Sequence, residues 1–122
     1  MPSAIICDDD KDLAESFSEC LNIHGVRIFG IAHDGKEAVD LYKKTKPDYV
    51  FLDYNMPEYD GLYALNKIKE INIFANIIMV TGSIYEKDHF TKFGALAQYQ
   101  KPVKIGKMLD EIQLLRVPNE NG

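Results

Sequence analysis

Five chemically capable side chains stand just past apolar runs in this chain. Asp8 and Asp9 follow Ala4-Ile5-Ile6-Cys7, Asp53 follows Tyr49-Val50-Phe51-Leu52, Thr81 follows Ile77-Ile78-Met79-Val80, and Lys101 follows Leu96 to Gln100. Brought together, the three carboxylates repel: two of them 4 Å apart cost about 4 kcal/mol at an effective dielectric of 20. One lysine leaves the group with two uncompensated negative charges, and a divalent cation brings the formal sum to zero. Carboxylate oxygens with open water positions suit Mg2+, which prefers octahedral oxygen and bridges readily to phosphate. An ammonium supplies a point charge for a phosphoryl group, and a threonine hydroxyl can donate a hydrogen bond to it. The set points to phosphoryl chemistry with Asp53 as nucleophile. A carboxylate is ionised at neutral pH and attacks phosphorus without a general base, giving an aspartyl phosphate. Mg2+ and Lys101 would hold the charge of the transferring group.

These residues are far apart in sequence, so a fold must gather them. Short apolar runs alternate five times with amphipathic ones, the pattern of βα units and a parallel sheet covered by helices on both faces. Helices are expected over about 11–24, 35–45, 60–70, 85–93 and 104–116, with Leu13, Phe17 and Leu21 inward on the first and Ile105, Met108, Leu109, Ile112 and Leu115 inward on the last. The first, third and fourth apolar runs are continuous, as for strands buried on both faces. The second holds Arg27 and Gly30, and the fifth holds Gln98 and Gln100, which makes these two the edges. The expected fold class is α/β: a (βα)5, flavodoxin-like, doubly wound parallel sheet of strand order 2-1-3-4-5. In such a sheet all strand C-termini share one rim, and the acidic tips of adjacent strands 1 and 3 become neighbours.

Composition narrows the alternatives. A chain of 122 residues suits one domain and buries roughly two-thirds of its extended surface on folding. With 46% hydrophobic and 27% charged residues it is not a disordered chain. The net charge of −5 disfavours direct nucleic-acid binding, which draws on cationic contacts to phosphates. Cys7 and Cys20 lie in apolar patterns without metal-type spacing, and no stretch reaches membrane-spanning length, so a cytoplasmic protein is expected.

The segments IICDDDKDL, PDYVFLDYNMPEYDG, IIMVTGS and GALAQYQKPV resemble, in order and spacing, the receiver domain of two-component response regulators, here of the stand-alone, chemotaxis type. The resemblance implies a module that takes a phosphoryl group from a sensor histidine kinase or phosphotransfer protein onto Asp53 with Mg2+. It would then signal to a downstream protein through the surface of its fourth helix, fifth strand and fifth helix. Residue by residue, Asp9 would ligate the metal directly, Asp8 through water, Asp53 by its carboxylate and Asn55 by its main-chain carbonyl. Thr81 matches the hydroxyl that moves towards the phosphoryl group, and Lys101 matches the family's lysine, with Lys101-Pro102 cis. One position departs from the pattern. The family's switch aromatic falls on Gln98, and Tyr99, one residue along, points to the opposite face; Gln98 is expected to relay by hydrogen bonding instead. Residues 1–117 would form the receiver and 118–122 a flexible tail.

Plainer roles suit other residues. Asp10 caps the first helix, Asp60 and Gly61 open the third, and His24, His33 and His89 are surface or turn residues. Lys43, Lys44 and Lys46 complement the dipole of the second helix. Tyr54 and Ser83 flank the site and tune access or hydrolysis. Two other functions compete with the switch. One is a phosphorelay shuttle. The other is a small phosphohydrolase of the haloacid-dehalogenase type, which needs a second Asp as acid–base where this chain has Asn55, a residue that cannot transfer a proton.

Overall fold

A computed structural model describes residues 1–116; the expected boundary at 117 and the tail 118–122 lie outside the described residues. Five strands, β1 (Ser3–Cys7), β2 (Arg27–Ala32), β3 (Tyr49–Leu52), β4 (Asn76–Thr81) and β5 (Ala97–Gln100), form one parallel sheet in the order β2-β1-β3-β4-β5. Four helices cover it: α1 (Lys11–Ile23), α2 (Gly35–Thr45), α3 (Gly61–Ile71) and α4 (Ile105–Leu115). The expected class, strand order and edges are all present.

The sheet is buried from both sides because its central strands are apolar along their lengths, over Ala4–Cys7, Tyr49–Leu52 and Ile77–Val80, with polar residues only at the ends of β1 and β4. Successive side chains alternate between faces, so one core layer takes Ile5, Val50, Leu52, Ile77 and Met79 against α2 and α3. The other takes Ala4, Ile6, Phe51, Ile78 and Val80 against Leu21 of α1 and Met108 and Ile112 of α4. Each fully buried side chain of this size stabilises the fold by about 1.5–3 kcal/mol. The edge strands are only partly buried, as their polar residues require.

Local chemistry sets the helix ends. Asp10, Asp34 and Asp60 cap α1, α2 and α3 by accepting the amides of Leu13 (3.1 Å), Glu37 (2.8 Å) and Tyr63 (2.9 Å), each cap being worth about 1 kcal/mol. Helix α1 stops at Gly25, whose φ of +88° suits a residue without Cβ. Helix α2 stops at left-handed Lys46, ahead of Pro47.

Three expectations need correction. The helix expected over about 85–93 is a run of turns ending in one 3-10 turn, Thr91–Phe93. Only Phe90 is buried along that stretch, and its main-chain N–H is bonded to the Gln98 side chain rather than to the helical acceptor, the Glu86 carbonyl. Leu13 and Leu115 are not inward but 50% and 54% exposed. Ala14 fills the buried position at the start of α1, and Leu115 is the last residue of α4.

Candidate functional site

The ladder between β1 and β3 pairs Cys7 with Leu52 and continues one residue further, where Asp53 N–H donates to the Cys7 carbonyl at 2.9 Å. The next side chains, Asp8 and Asp53, therefore emerge together at the C-terminal rim. Carboxylate oxygens of Asp8, Asp9 and Asp53 lie within 4.8 Å of one another, with Asp8 and Asp53 buried and Asp9 exposed. From β5, Lys101 reaches over: its Nζ stands 2.7 Å from Asp8 Oδ2 and 3.5 Å from Asp53 Oδ2. Its main-chain N–H donates to the Thr81 carbonyl at 2.8 Å, and the Lys101-Pro102 peptide is cis.

The two distances decide how the charge is shared. Lys101 is bonded closely to Asp8 and more loosely to Asp53. Burial pushes the Asp53 carboxyl above its ordinary range, with the Asp8 charge adding to the rise and Lys101 opposing it. Burial alone would lower Lys101, but its hydrogen bond to Asp8 and the charge of Asp53 outweigh this and hold the ammonium above its usual range. Asp53 is thus left short of positive charge. Two buried carboxylates, a third open to water and one shared ammonium make a donor set that fits a hard divalent cation.

Other expected residues stand around this group. Asn55 N–H donates to Asp53 Oδ1 at 3.3 Å, and its side-chain amide reaches Ser83 Oγ at 3.5 Å. Buried Thr81 ends β4; its Oγ1 accepts from Ser83 N–H at 3.3 Å, which leaves the hydroxyl proton to donate. Asp8 is further fixed by accepting Asp10 N–H at 3.0 Å. Gly61 packs so closely that a Cβ there would meet the Asp53 carbonyl oxygen and Tyr54 Cα. Beside Lys101, a groove of about 450 Å3 runs under α1, lined by Leu13, Phe17, Cys20, Pro102, Val103 and Ile105 among others.

Three features escape a reading of the sequence. The His33 ring binds the Asp8 carbonyl through Nδ1 at 3.1 Å, and since a carbonyl only accepts, that nitrogen carries the proton. Tyr54, next to Asp53, packs edge-on to Tyr85 at 5.6 Å and against Phe90 at 5.3 Å, which seats the β4–β5 crossover on the site. The aromatic spacing Tyr85, His89, Phe90, Phe93 was the available signal. The third feature is the set of partners Gln98 binds. Its side chain accepts from Phe90 N–H at 2.7 Å and donates to the Glu86 carbonyl at 2.8 Å. Tyr99 leaves the other face, towards Glu111 of α4 at 3.1 Å.

Comparison with known proteins points in one direction. A family model described as response regulator receiver domain matches residues 4–113. The transcriptional regulatory protein PdtaR of Mycobacterium tuberculosis is 34% identical over 113 residues, covering 90% of this chain and 54% of the relative; the chain thus spans about half of that protein's length. Sporulation initiation phosphotransferase F of Bacillus subtilis is 30% identical over 111 residues, 89% of either chain. Among solved structures, a CheX-CheY-BeF3-Mg+2 complex from Borrelia burgdorferi contains a similar chain, with TM-score 0.87 and 29% identity, covering 95% of this chain and 90% of that one.

Proposed function

The chain belongs to the response regulator receiver domain family, and from that premise we propose that Asp53 accepts a phosphoryl group from a phosphohistidine. Receiver domains are signalling modules that bind Mg2+ at an acidic pocket and meet histidine kinases or phosphotransfer proteins and downstream targets. The observation that carries the reading for this chain is the group of three carboxylates within 4.8 Å of one another under a lysine at 2.7 and 3.5 Å.

An Asp53 carboxylate oxygen attacks phosphorus and forms the new P–O bond. The P–N bond to the donor imidazole breaks, and the leaving nitrogen keeps the electron pair. Mg2+, when bound, neutralises carboxylate and phosphoryl charge alike. Asp9 and Asp53 would hold it directly, Asp8 through water and Asn55 by its main-chain carbonyl. Lys101 and the Thr81 hydroxyl then turn to the phosphoryl oxygens. Phosphorylation adds about −1.5 to −2 charge at Asp53. The output is a changed surface on the β4–β5 crossover, β5 and α4, the last helix of the described residues, read by a second protein. The unpaired Cys7 and Cys20 suit the reducing cytoplasm.

The test is incubation with acetyl phosphate, with and without Mg2+. One acyl phosphate per chain is expected, dependent on Mg2+ and absent from Asp53→Asn. Undiminished labelling of that variant overturns the assignment, and repeated turnover of a phosphomonoester would favour the hydrolase reading.

A further inference from the structure

Glu86 O and Phe90 N are the acceptor and donor that an α-helical turn would join directly, four residues apart. Here a side chain stands between them. Gln98 Oε1 accepts from Phe90 N–H at 2.7 Å, and Gln98 Nε2 donates to Glu86 O at 2.8 Å. The amide can be oriented only one way, because the main-chain N–H requires an acceptor and the carbonyl a donor. On both sides of the insertion the chain is already wound: His89 N–H donates to Glu86 O at 3.0 Å, Lys92 N–H to Asp88 O at 3.3 Å and Phe93 N–H to Phe90 O at 3.0 Å. The crossover is therefore a string of three-residue turns with one α-type bond, Lys92 N–H to Asp88 O, and a residue of β5 occupies the place where the first α-helical bond of the segment would form.

The alternative arrangement lies close in energy. Withdrawing the amide exchanges two neutral hydrogen bonds for one main-chain bond and a hydrated carboxamide, a nearly balanced trade. The interrupted turn also touches the acid site. Phe90 and Tyr85 pack on Tyr54, the neighbour of Asp53, and Gln98, on the edge strand, lies three residues before Lys101, which directly follows that strand. The strand that carries the amide runs into Lys101, whose main-chain N–H is bonded to the Thr81 carbonyl at 2.8 Å, so a shift of that strand end towards a group on Asp53 would be passed to Gln98.

We propose that Gln98 is a wedge holding residues 86–93 out of an α-helix, and that loading Asp53 withdraws it so that the segment closes into one. The first half stands on the geometry of the crossover; the second rests on the reading of Asp53 as acceptor. Gln98 acts here as a positioning residue, since it touches the crossover and none of the reacting atoms.

Through-hydrogen-bond NMR couplings test both halves on the full chain. In the free protein, Phe90 15N should couple to the side-chain carboxamide carbon of Gln98. In Gln98→Met, which keeps the stem and removes the amide, it should couple to the Glu86 carbonyl, with Cα shifts over 86–93 moving to helical values. Gln98→Ala should do the same, which guards against a packing effect of methionine. If both variants leave Phe90 without a main-chain partner and the shifts unmoved, the wedge is overturned. The second arm adds beryllium fluoride and Mg2+ to the wild type, with 19F signals reporting occupancy of Asp53 and Asp53→Asn as control. Exchange of the Gln98 coupling for the Glu86 coupling supports withdrawal on loading. Occupancy with the Gln98 coupling retained overturns that link while leaving the acceptor standing. Failure of occupancy, with the variants helical, supports the wedge and counts against the acceptor instead.

Discussion

Replacing Lys101 by methionine removes the ammonium while retaining most of the stem that packs beside Pro102 and Val103. At 2.7 Å from Asp8 and 3.5 Å from Asp53, the charge attracts the two carboxylates by about 6 and about 5 kcal/mol at an effective dielectric of 20. Desolvation of the three groups offsets most of that attraction. The Lys101 side chain keeps 27% of its exposure, so the loss falls below the 3–5 kcal/mol typical of breaking a fully buried pair, at about 2–3 kcal/mol in Mg2+-free buffer. For a domain of this size that lowers Tm by roughly 10 °C. Mg2+ should narrow the gap between the two proteins. The variant site carries three uncompensated charges instead of two, so it draws the cation more strongly. At a fixed saturating Mg2+ concentration each tenfold tighter Kd adds about 1.4 kcal/mol to the variant's gain over that of the wild type, which offsets part of the deficit. Urea melts of both proteins, Mg2+-free and Mg2+-saturated, read the four free energies directly. Equal stability of the two proteins without Mg2+, or equal gain from it, would refute the claim that the acids share one field with Lys101.

Three further outcomes are expected. Asp53 has a raised carboxyl in the fold, so its protonated form is favoured by folding and stability falls as pH rises through that raised value; Asp53→Asn should therefore raise the urea midpoint of the metal-free protein at neutral pH, with the gain fading in acid. Tyr99 is pushed up to about 12 by burial and its bond to Glu111; stability should fall between pH 10 and about 12, less steeply in Tyr99→Phe, and an identical alkaline profile would count against the bond. At Gly35 a Cβ would stand 2.5 Å from Tyr59 O and 2.7 Å from Asp60 O, both main-chain atoms with little room to move, so Gly35→Ala should destabilise by about 1–3 kcal/mol in thermal melts.

The strand order was legible because continuous apolar runs and interrupted ones differ in chemistry: Ile77 to Val80 must be covered twice, whereas Gln98 and Gln100 cannot be. The acidic site was legible for the same reason, since each strand end in an open parallel sheet marks one place on a shared rim. The crossover was not. Its residues have helical spacing, and nothing local announces that a glutamine on the next strand will take the amide of Phe90. Leu13 failed similarly, because periodicity marks a stripe without saying which of Leu13 and Ala14 sits at its centre. The arrangement of Asp48, which accepts from Ser3 N–H at 2.8 Å and from Arg116 at 2.9 Å, joins residues too distant in sequence for any pattern to pair them.

Adjacent residues of β5 divide their attachments between the two flanks: Gln98 binds the preceding crossover and Tyr99 binds α4. As the outermost strand, β5 pairs within the sheet with β4, and among the described residues no further strand lies on its other edge. Each neighbouring surface is consequently adjustable through its own handle, the crossover through residue 98 and α4 through residue 99, so an engineer could retune one without disturbing the other.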